Sequence, residues 1–175
     1  LKADRARLEI PEASRPALSS DVVVVGQPPR DKPASQRFPL ALDLSCRGGG
    51  LASALAGRGS IETLFQCDVT PDSARRAKEH GPAFVADEEA LPLRSQSLDA
   101  ILSNLALHWV NDLPGALAQI RDALKPDGLF LASMFGAGTL SELRSCLMEA
   151  ELAERGGASP RVSPFAGLRD AAGLL

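Results

Sequence analysis

From residue 38 onward, short apolar runs alternate with amphipathic stretches, and the alternation predicts a strand–helix repeat. Leu40-Ala41-Leu42-Asp43-Leu44 reads as a strand running into Gly48-Gly49-Gly50, and a helix follows from about Leu51, with Leu51 and Leu55 four apart. Thr63–Cys67 reads as a second strand ending at Asp68. Thr70-Pro71-Asp72 then offers an N-cap, a proline at the first helical position and an acid in the first turn. That helix should end near His80-Gly81-Pro82. Ala83-Phe84-Val85 is a third strand, closing at Asp87, and Leu98–Asn104 a fourth. Asn111-Asp112 caps a helix with Leu113, Leu117, Ile120 and Leu124 on one face, and Lys125-Pro126-Asp127-Gly128 breaks it. Leu129–Met134 is a fifth strand. A last helix starts near Thr139, with Leu140, Leu143 and Leu147 on one face. Strands alternating with helices imply βαβ units, a parallel sheet and right-handed crossovers.

The first forty residues break this rhythm. Residues 1–39 hold six of the thirteen prolines, with seven Lys/Arg against five Asp/Glu. The expected division is a divergent, Pro-rich and partly disordered segment at 1–37 and an α/β domain at 38–175. The exception is Val22-Val23-Val24-Val25, a β-branched run readable as an edge strand or as a stray aggregation-prone segment.

Composition narrows the function classes. A chain of 175 residues is about one domain. At 45% hydrophobic and 23% charged it is neither collagen-like, coiled-coil nor wholly disordered. It has six Phe, one Trp and no Tyr, and its net charge is −3. Both facts argue against a nucleic-acid partner, which needs stacking rings and basic patches. Cys46, Cys67 and Cys146 are widely spaced, without a C-x-x-C, and only His80 and His108 could join them. They read as reduced, mostly buried thiols, and no metal site is expected. No apolar run approaches the ~18 residues of a membrane span.

Chemistry gathers at the strand ends. In an open parallel sheet, ligands sit beyond the carboxyl ends of the strands. Asp43, Asp68 and Asp87 all fall at or just past such ends, and Asp68 lies 19 residues after Gly49. An acid at about that distance from a glycine-rich first turn can accept two hydrogen bonds from a ribose diol. The order strand, glycine loop, helix, strand, acid points to a nucleoside site.

These residues carry a family resemblance. Leu42-Asp43-Leu44-Ser45-Cys46-Arg47-Gly48-Gly49 resembles the first motif of class I S-adenosylmethionine-dependent methyltransferases. Ala86–Leu93 resembles their adenine-side motif, Ser97–Asn104 their fourth strand, and Leu124–Gly128 the turn before the fifth. More narrowly, Leu107–Pro114, Met134-Phe135-Gly136 with Thr139-Leu140 and Glu142-Leu143-Arg144, and Ser159-Pro160 with Ser163-Pro164-Phe165 are similar to the mitochondrial complex I assembly factor 5 family. The resemblance covers about residues 37–170. It implies a Rossmann-like methyltransferase sheet and an arginine hydroxylase acting on an iron–sulfur subunit of complex I. The implied location is mitochondrial, on the matrix side of the inner membrane, with at most peripheral membrane association; a bacterial chain would be cytoplasmic. The implied cofactor is S-adenosylmethionine. Asp43, Gly48 and Gly49 would shape its methionine-side pocket and Asp68 would hold the ribose. Asp87 would meet the adenine amino group, with Glu88 nearby, and Asn104 would sit under the sulfonium.

Two rival readings stay open. One is the related malonyl-carrier-protein methyltransferase of biotin synthesis, against which His108 and the Ser-Pro-Phe segment argue mildly. The other is a non-catalytic assembly module with a decayed cofactor loop, which Ser45 and Arg47 favour. The family has glycine at those two positions, where positive φ is needed. Weakened cofactor binding is therefore expected.

His108 is the best catalytic candidate, as proton carrier or substrate contact, set against a packing histidine beneath a lid. Glu88-Glu89 read as a carboxylate pair or a solvated helix start, and His80 as a helix-end cation. The family's sheet has seven strands, and this chain supplies five by residue 135. The fold is therefore expected to be truncated before strands six and seven, with the edge beside the fifth uncovered. Leu1 and Leu174-Leu175 then read as the cut ends of a fragment or aberrant gene model.

Overall fold

The computed structural model describes residues 22–27, 37–163, 165 and 173. Its sheet is built from β1 (Val22–Gln27), β2 (Phe38–Leu44), β3 (Ile61–Asp68), β4 (Ala83–Val85), β5 (Leu98–Asn104) and β6 (Leu124–Phe135). The helices are α1 (Gly50–Leu55), α2 (Pro71–Ala77), α3 (Leu113–Ala123) and α4 (Ser141–Arg155), with a 3₁₀ turn at Leu107–Trp109. Strand order is β1-β6-β5-β2-β3-β4. The five strands from β2 to β6 run parallel, so all five carboxyl ends open on one side. This is the predicted parallel sheet.

β1 alters the expected edge. It pairs antiparallel with β6, Val22 opposite Phe135 and Gln27 opposite Phe130. The edge beside the fifth parallel strand is thus covered, and the cover comes from before the domain rather than from strands six and seven. The Val22–Val25 run supplies an edge strand because β-branched residues suit a pleated ladder.

Alternation across the sheet divides two apolar layers. Ile101 and Phe130 pack with Leu117, Ile120 and Ala123 of α3 in the main core. Leu102 and Leu131 face the other way, toward Leu51 and Leu55 of α1, around an apolar hollow of about 350 Å³. α1 buries none of its residues. α4 buries none either, so the predicted stripe leaves Leu140 and Leu143 exposed.

The predicted breaker Lys125–Gly128 lies inside β6 instead of ending before it. Leu98 pairs with Leu124 and Ala100 with Leu129, so the segment bulges out of a continuous strand. A proline and glycine fit a bulge, where ladder bonds are already lost. Lys125 Nζ anchors it to Asp99 Oδ1 at 2.8 Å.

The α3 cap is as predicted: Asp112 Oδ1 accepts from the Gly115 amide at 2.9 Å. Asp112→Ala should cost about 1 kcal/mol in urea melts; a loss below ~0.3 kcal/mol would show the cap idle. Cys46 and Cys67 are buried free thiols and Cys146, on the sparsely packed α4, is exposed, so the thiols are mostly buried, as expected. No helix among the described residues is long and apolar enough to cross a membrane.

Candidate functional site

The glycine-rich loop leaves β2 in a series of left-handed residues. Ser45 (φ 61°), Arg47 (φ 47°), Gly48 (φ 91°) and Gly49 (φ 92°) all have positive φ. The two side-chain-bearing residues therefore do adopt the conformation that costs them about 1–3 kcal/mol each. Gly49 is required on a second ground. A β-carbon there would lie 2.5 Å from His80 Cδ2 and 3.0 Å from Gln66 Oε1. His80 thus packs on the glycine loop, beyond the helix-end role expected of it.

Asp68 lies at the end of β3 and is buried. Its Oδ2 accepts from the Arg47 amide at 2.9 Å, and its Oδ1 accepts from the Thr70 amide at 2.9 Å and the Thr70 hydroxyl at 2.7 Å. The Thr70 hydroxyl is thereby turned toward Asp68 and makes no cap bond to α2. Asp87 follows β4. Its Oδ1 accepts from the Glu89 amide at 2.9 Å in a tight turn closed by the Asp87–Ala90 bridge. That turn replaces the helix start expected at Glu88-Glu89.

Glu88 accepts a hydrogen bond from the Ser45 hydroxyl. Glu89 Oε1 accepts from the Asn111 amide at 2.6 Å and Asn111 Nδ2 at 3.1 Å, stitching the turn to the segment before α3. Sequence reasoning missed this stitch, because nothing local marks two segments 22 residues apart as neighbours.

A cleft of about 430 Å³ opens beyond these strand ends. Ser45, Arg47, Asp68, Asp87, Glu88 and Trp109 are among the residues lining it. Its volume falls within the roughly 300–1,000 Å³ of small-molecule sites. Asn104 does not line it. Asn104 lines the apolar hollow instead, and its Oδ1 accepts from the Ser133 hydroxyl at 2.7 Å.

Asp43 lies deeper, 1% exposed between β3 and β5. Its Oδ2 is buried without a partner among the described residues. Burial first, and the neighbouring Asp68 second, push its carboxyl up to about 7. Burial likewise pushes the Cys67 thiol up to about 12, leaving it inert near neutrality.

His108 lies in the 3₁₀ turn after β5, next to Trp109 of the cleft lining, and does not itself line the cleft. Its ring centroid is 4.4 Å from Phe135, 5.3 Å from Trp109 and 5.9 Å from Phe165. Neither ring nitrogen has a partner among the described residues. Burial, then the Arg47 charge, lower its pKa, so the imidazole is neutral at pH 7. Among the described residues no group of three or more His, Cys, Asp or Glu could hold a metal ion.

A mostly parallel open sheet, a glycine-rich first turn and acids at the next strand ends define an α/β protein of Rossmann-like fold. The chain belongs to the methyltransferase domain family, whose pattern matches residues 42–132. It is 44% identical over 144 residues to "Arginine-hydroxylase NDUFAF5, mitochondrial" of Danio rerio, across 81% of this chain and 44% of the zebrafish protein. It is 46% identical over 79 residues to "Malonyl-[acyl-carrier protein] O-methyltransferase" of Xylella fastidiosa (strain M23), across 45% of this chain and 25% of that protein. The chain thus spans less than half the length of either relative. The crystal structure of an S-adenosylmethionine dependent methyltransferase from Mesorhizobium loti superposes with a TM-score of 0.52 at 27% identity, covering 61% of this chain and 50% of that one.

Proposed function

We propose that this chain is the nucleoside-binding part of a methyltransferase-fold protein of mitochondrial complex I assembly, modifying an arginine of an iron–sulfur subunit by hydroxylation. The observation that carries the reading is the 44% identity over 144 residues to the arginine hydroxylase, spanning the glycine loop, the acids and the His108 segment alike. The malonyl-carrier-protein methyltransferase is the second reading, favoured by a shorter stretch of similar identity. Mass spectrometry of the iron–sulfur subunit after incubation with the protein separates the two. The expected product gains the mass of one oxygen atom on an arginine. A gain of one methylene, or a modified malonyl carrier in place of the arginine, overturns the hydroxylase reading.

S-adenosylmethionine is the cofactor the cleft would hold, in keeping with the S-adenosylmethionine dependent methyltransferase of Mesorhizobium loti that shares its fold. The nucleoside half fits the donor set. Asp68 would take the ribose hydroxyls, Asp87 and Glu88 would face the base, and Gly48 and Gly49 would let backbone approach the tail. When bound, the cofactor would supply an electrophilic methyl group, which serves the methyl-transfer reading; arginine hydroxylation draws its oxygen from a separate oxidant. Asp43 would meet the ammonium of the tail, since its Oδ2 is buried and lacks a partner among the described residues. His108 would contact the acceptor as a neutral imidazole. Asn104, turned toward the apolar hollow, would support the end of β5 from beneath.

Ser45 and Arg47 weaken this binding in our reading. The Ser45 hydroxyl occupies Glu88, a group the base needs, and the Arg47 side chain adds bulk and charge to the cleft lining at a strained positive φ. The variant Ser45→Gly with Arg47→Gly should bind S-adenosylmethionine about tenfold tighter by calorimetry, a gain of about 1.4 kcal/mol. Unchanged affinity would clear these two residues of the effect.

A further inference from the structure

A second cavity, of about 550 Å³, lies between α4 and residues 158–162 and shares no lining residue with the strand-end cleft. Its size also falls within the roughly 300–1,000 Å³ of small-molecule sites. Ala137, Leu147, Met148, Pro160, Val162 and Phe165 give it apolar walls. The Phe165 ring is held in place by Phe135 and His108, at centroid distances of 5.6 Å and 5.9 Å.

Among the described residues three polar side chains line this cavity: Arg144, Ser159 and Arg161. Two of them are engaged with Glu151 of α4. Ser159 donates to Glu151 Oε2 through its amide at 2.8 Å and its hydroxyl at 3.1 Å, and Arg161 Nε donates to Glu151 Oε1 at 2.7 Å. The Ser159 amide, and after it Arg161, hold the Glu151 carboxyl below its ordinary range, so the Glu151–Arg161 pair is ionised and mutually neutralised at pH 7. Arg144 is different. It is half-buried, and its Nη2 donates to the Thr139 carbonyl at a long 3.4 Å. That bond uses one of five guanidinium donors. No carboxylate among the described residues forms an ion pair with it.

The cavity thus offers one unneutralised cation in a hydrocarbon lining. A half-buried guanidinium calls for an anion, and a carboxylate matches its fork with two parallel hydrogen bonds. The apolar walls call for hydrocarbon. A peptide strand fits worse, because its amides would enter a cavity whose other polar side chains are already engaged. We propose that this cavity binds a fatty monocarboxylate, its head paired with Arg144 and its tail along Leu147, Met148 and Phe165. The site is separate from the cleft, so it stands whether or not the cleft holds an adenosyl group.

Decanoate and decanol isolate the charged head, because they share the tail. Calorimetry on the full chain should show decanoate binding at one site, at least tenfold tighter than decanol. Arg144→Gln keeps a polar side chain and removes the charge, and should bring the two affinities within about threefold of each other. Met148→Asp puts a negative charge in the wall, and should weaken decanoate at least tenfold. Equal binding of decanoate and decanol by the wild-type chain, which needs no variant, overturns the proposal. So does absence of decanoate binding, or a preference for decanoate that survives Arg144→Gln. A blocked leucyl-glutamyl-leucine peptide that binds tighter than decanoate assigns the cavity to a protein partner and overturns it as well.

Discussion

The wild-type protein should lose about 4 kcal/mol of stability between pH 4 and pH 8, and Asp43→Asn should lose far less. The folded carboxyl titrates at about 7 because it is buried beside Asp68. In the unfolded chain it titrates near the ordinary ~3.9. Between those values the folded state holds a proton that the unfolded state has released. Asp43 therefore contributes stability fully below pH ~4 and loses it as pH rises through 7. His108 acts in the opposite direction. Its lowered pKa makes the folded state hold fewer protons, so its contribution is present above the ordinary ~6.5 and falls away in acid. Urea melts across this range on both proteins separate the two, since His108 is common to them. Parallel stability profiles for wild type and Asp43→Asn would mean that Asp43 is ionised throughout.

Gly49→Ala should cost about 3 kcal/mol and abolish ligand binding at the cleft. Two independent causes add. The residue sits at φ 92°, where an L side chain is strained, and the new methyl meets His80 Cδ2 at 2.5 Å. His80→Ala on that background removes the second cause and leaves the first, so it should restore about half of the loss. A loss under ~0.5 kcal/mol in denaturant melts would show that the loop re-forms around the methyl.

The sequence carried the sheet more fully than the helices' surroundings. Each parallel strand is a compact apolar run between turn residues, and such runs are local signals. The strand-end acids were legible for the same reason: Asp68 follows its strand directly, and its distance from Gly49 is a count along the chain. What escaped depends on partners remote in sequence. The Glu89–Asn111 stitch needs the 87–90 turn to form first. The placement of His80 on Gly49 needs α2 to be folded back on β3 and β4. The stripe on α4 has helical period, yet period alone does not supply a surface to bury it. The bulge at Lys125–Gly128 shows the converse, a breaker sequence absorbed by a strand because sheet pairing resumes beyond it.

The site shows the same division. Positive φ at Ser45 and Arg47 was foreseeable from the glycines usual in the resembling motif. The reach of Arg47 to Leu105 was not, because it joins residues 58 apart. Asn104 was assigned by position alone, and the pleat of β5 sets it with Leu102 on the apolar hollow.

The pairing of Val22 with Phe135 has a consequence for biosynthesis. Those residues lie 113 apart (135 − 22). At a translation rate of about 5–20 residues per second, the valine run leaves the ribosome roughly 6–23 s before its partner strand exists. During that interval an uncharged β-forming segment has no sheet to join. That segment is then open to chaperone capture, and β1 can take its place in the sheet only after β6 has been made.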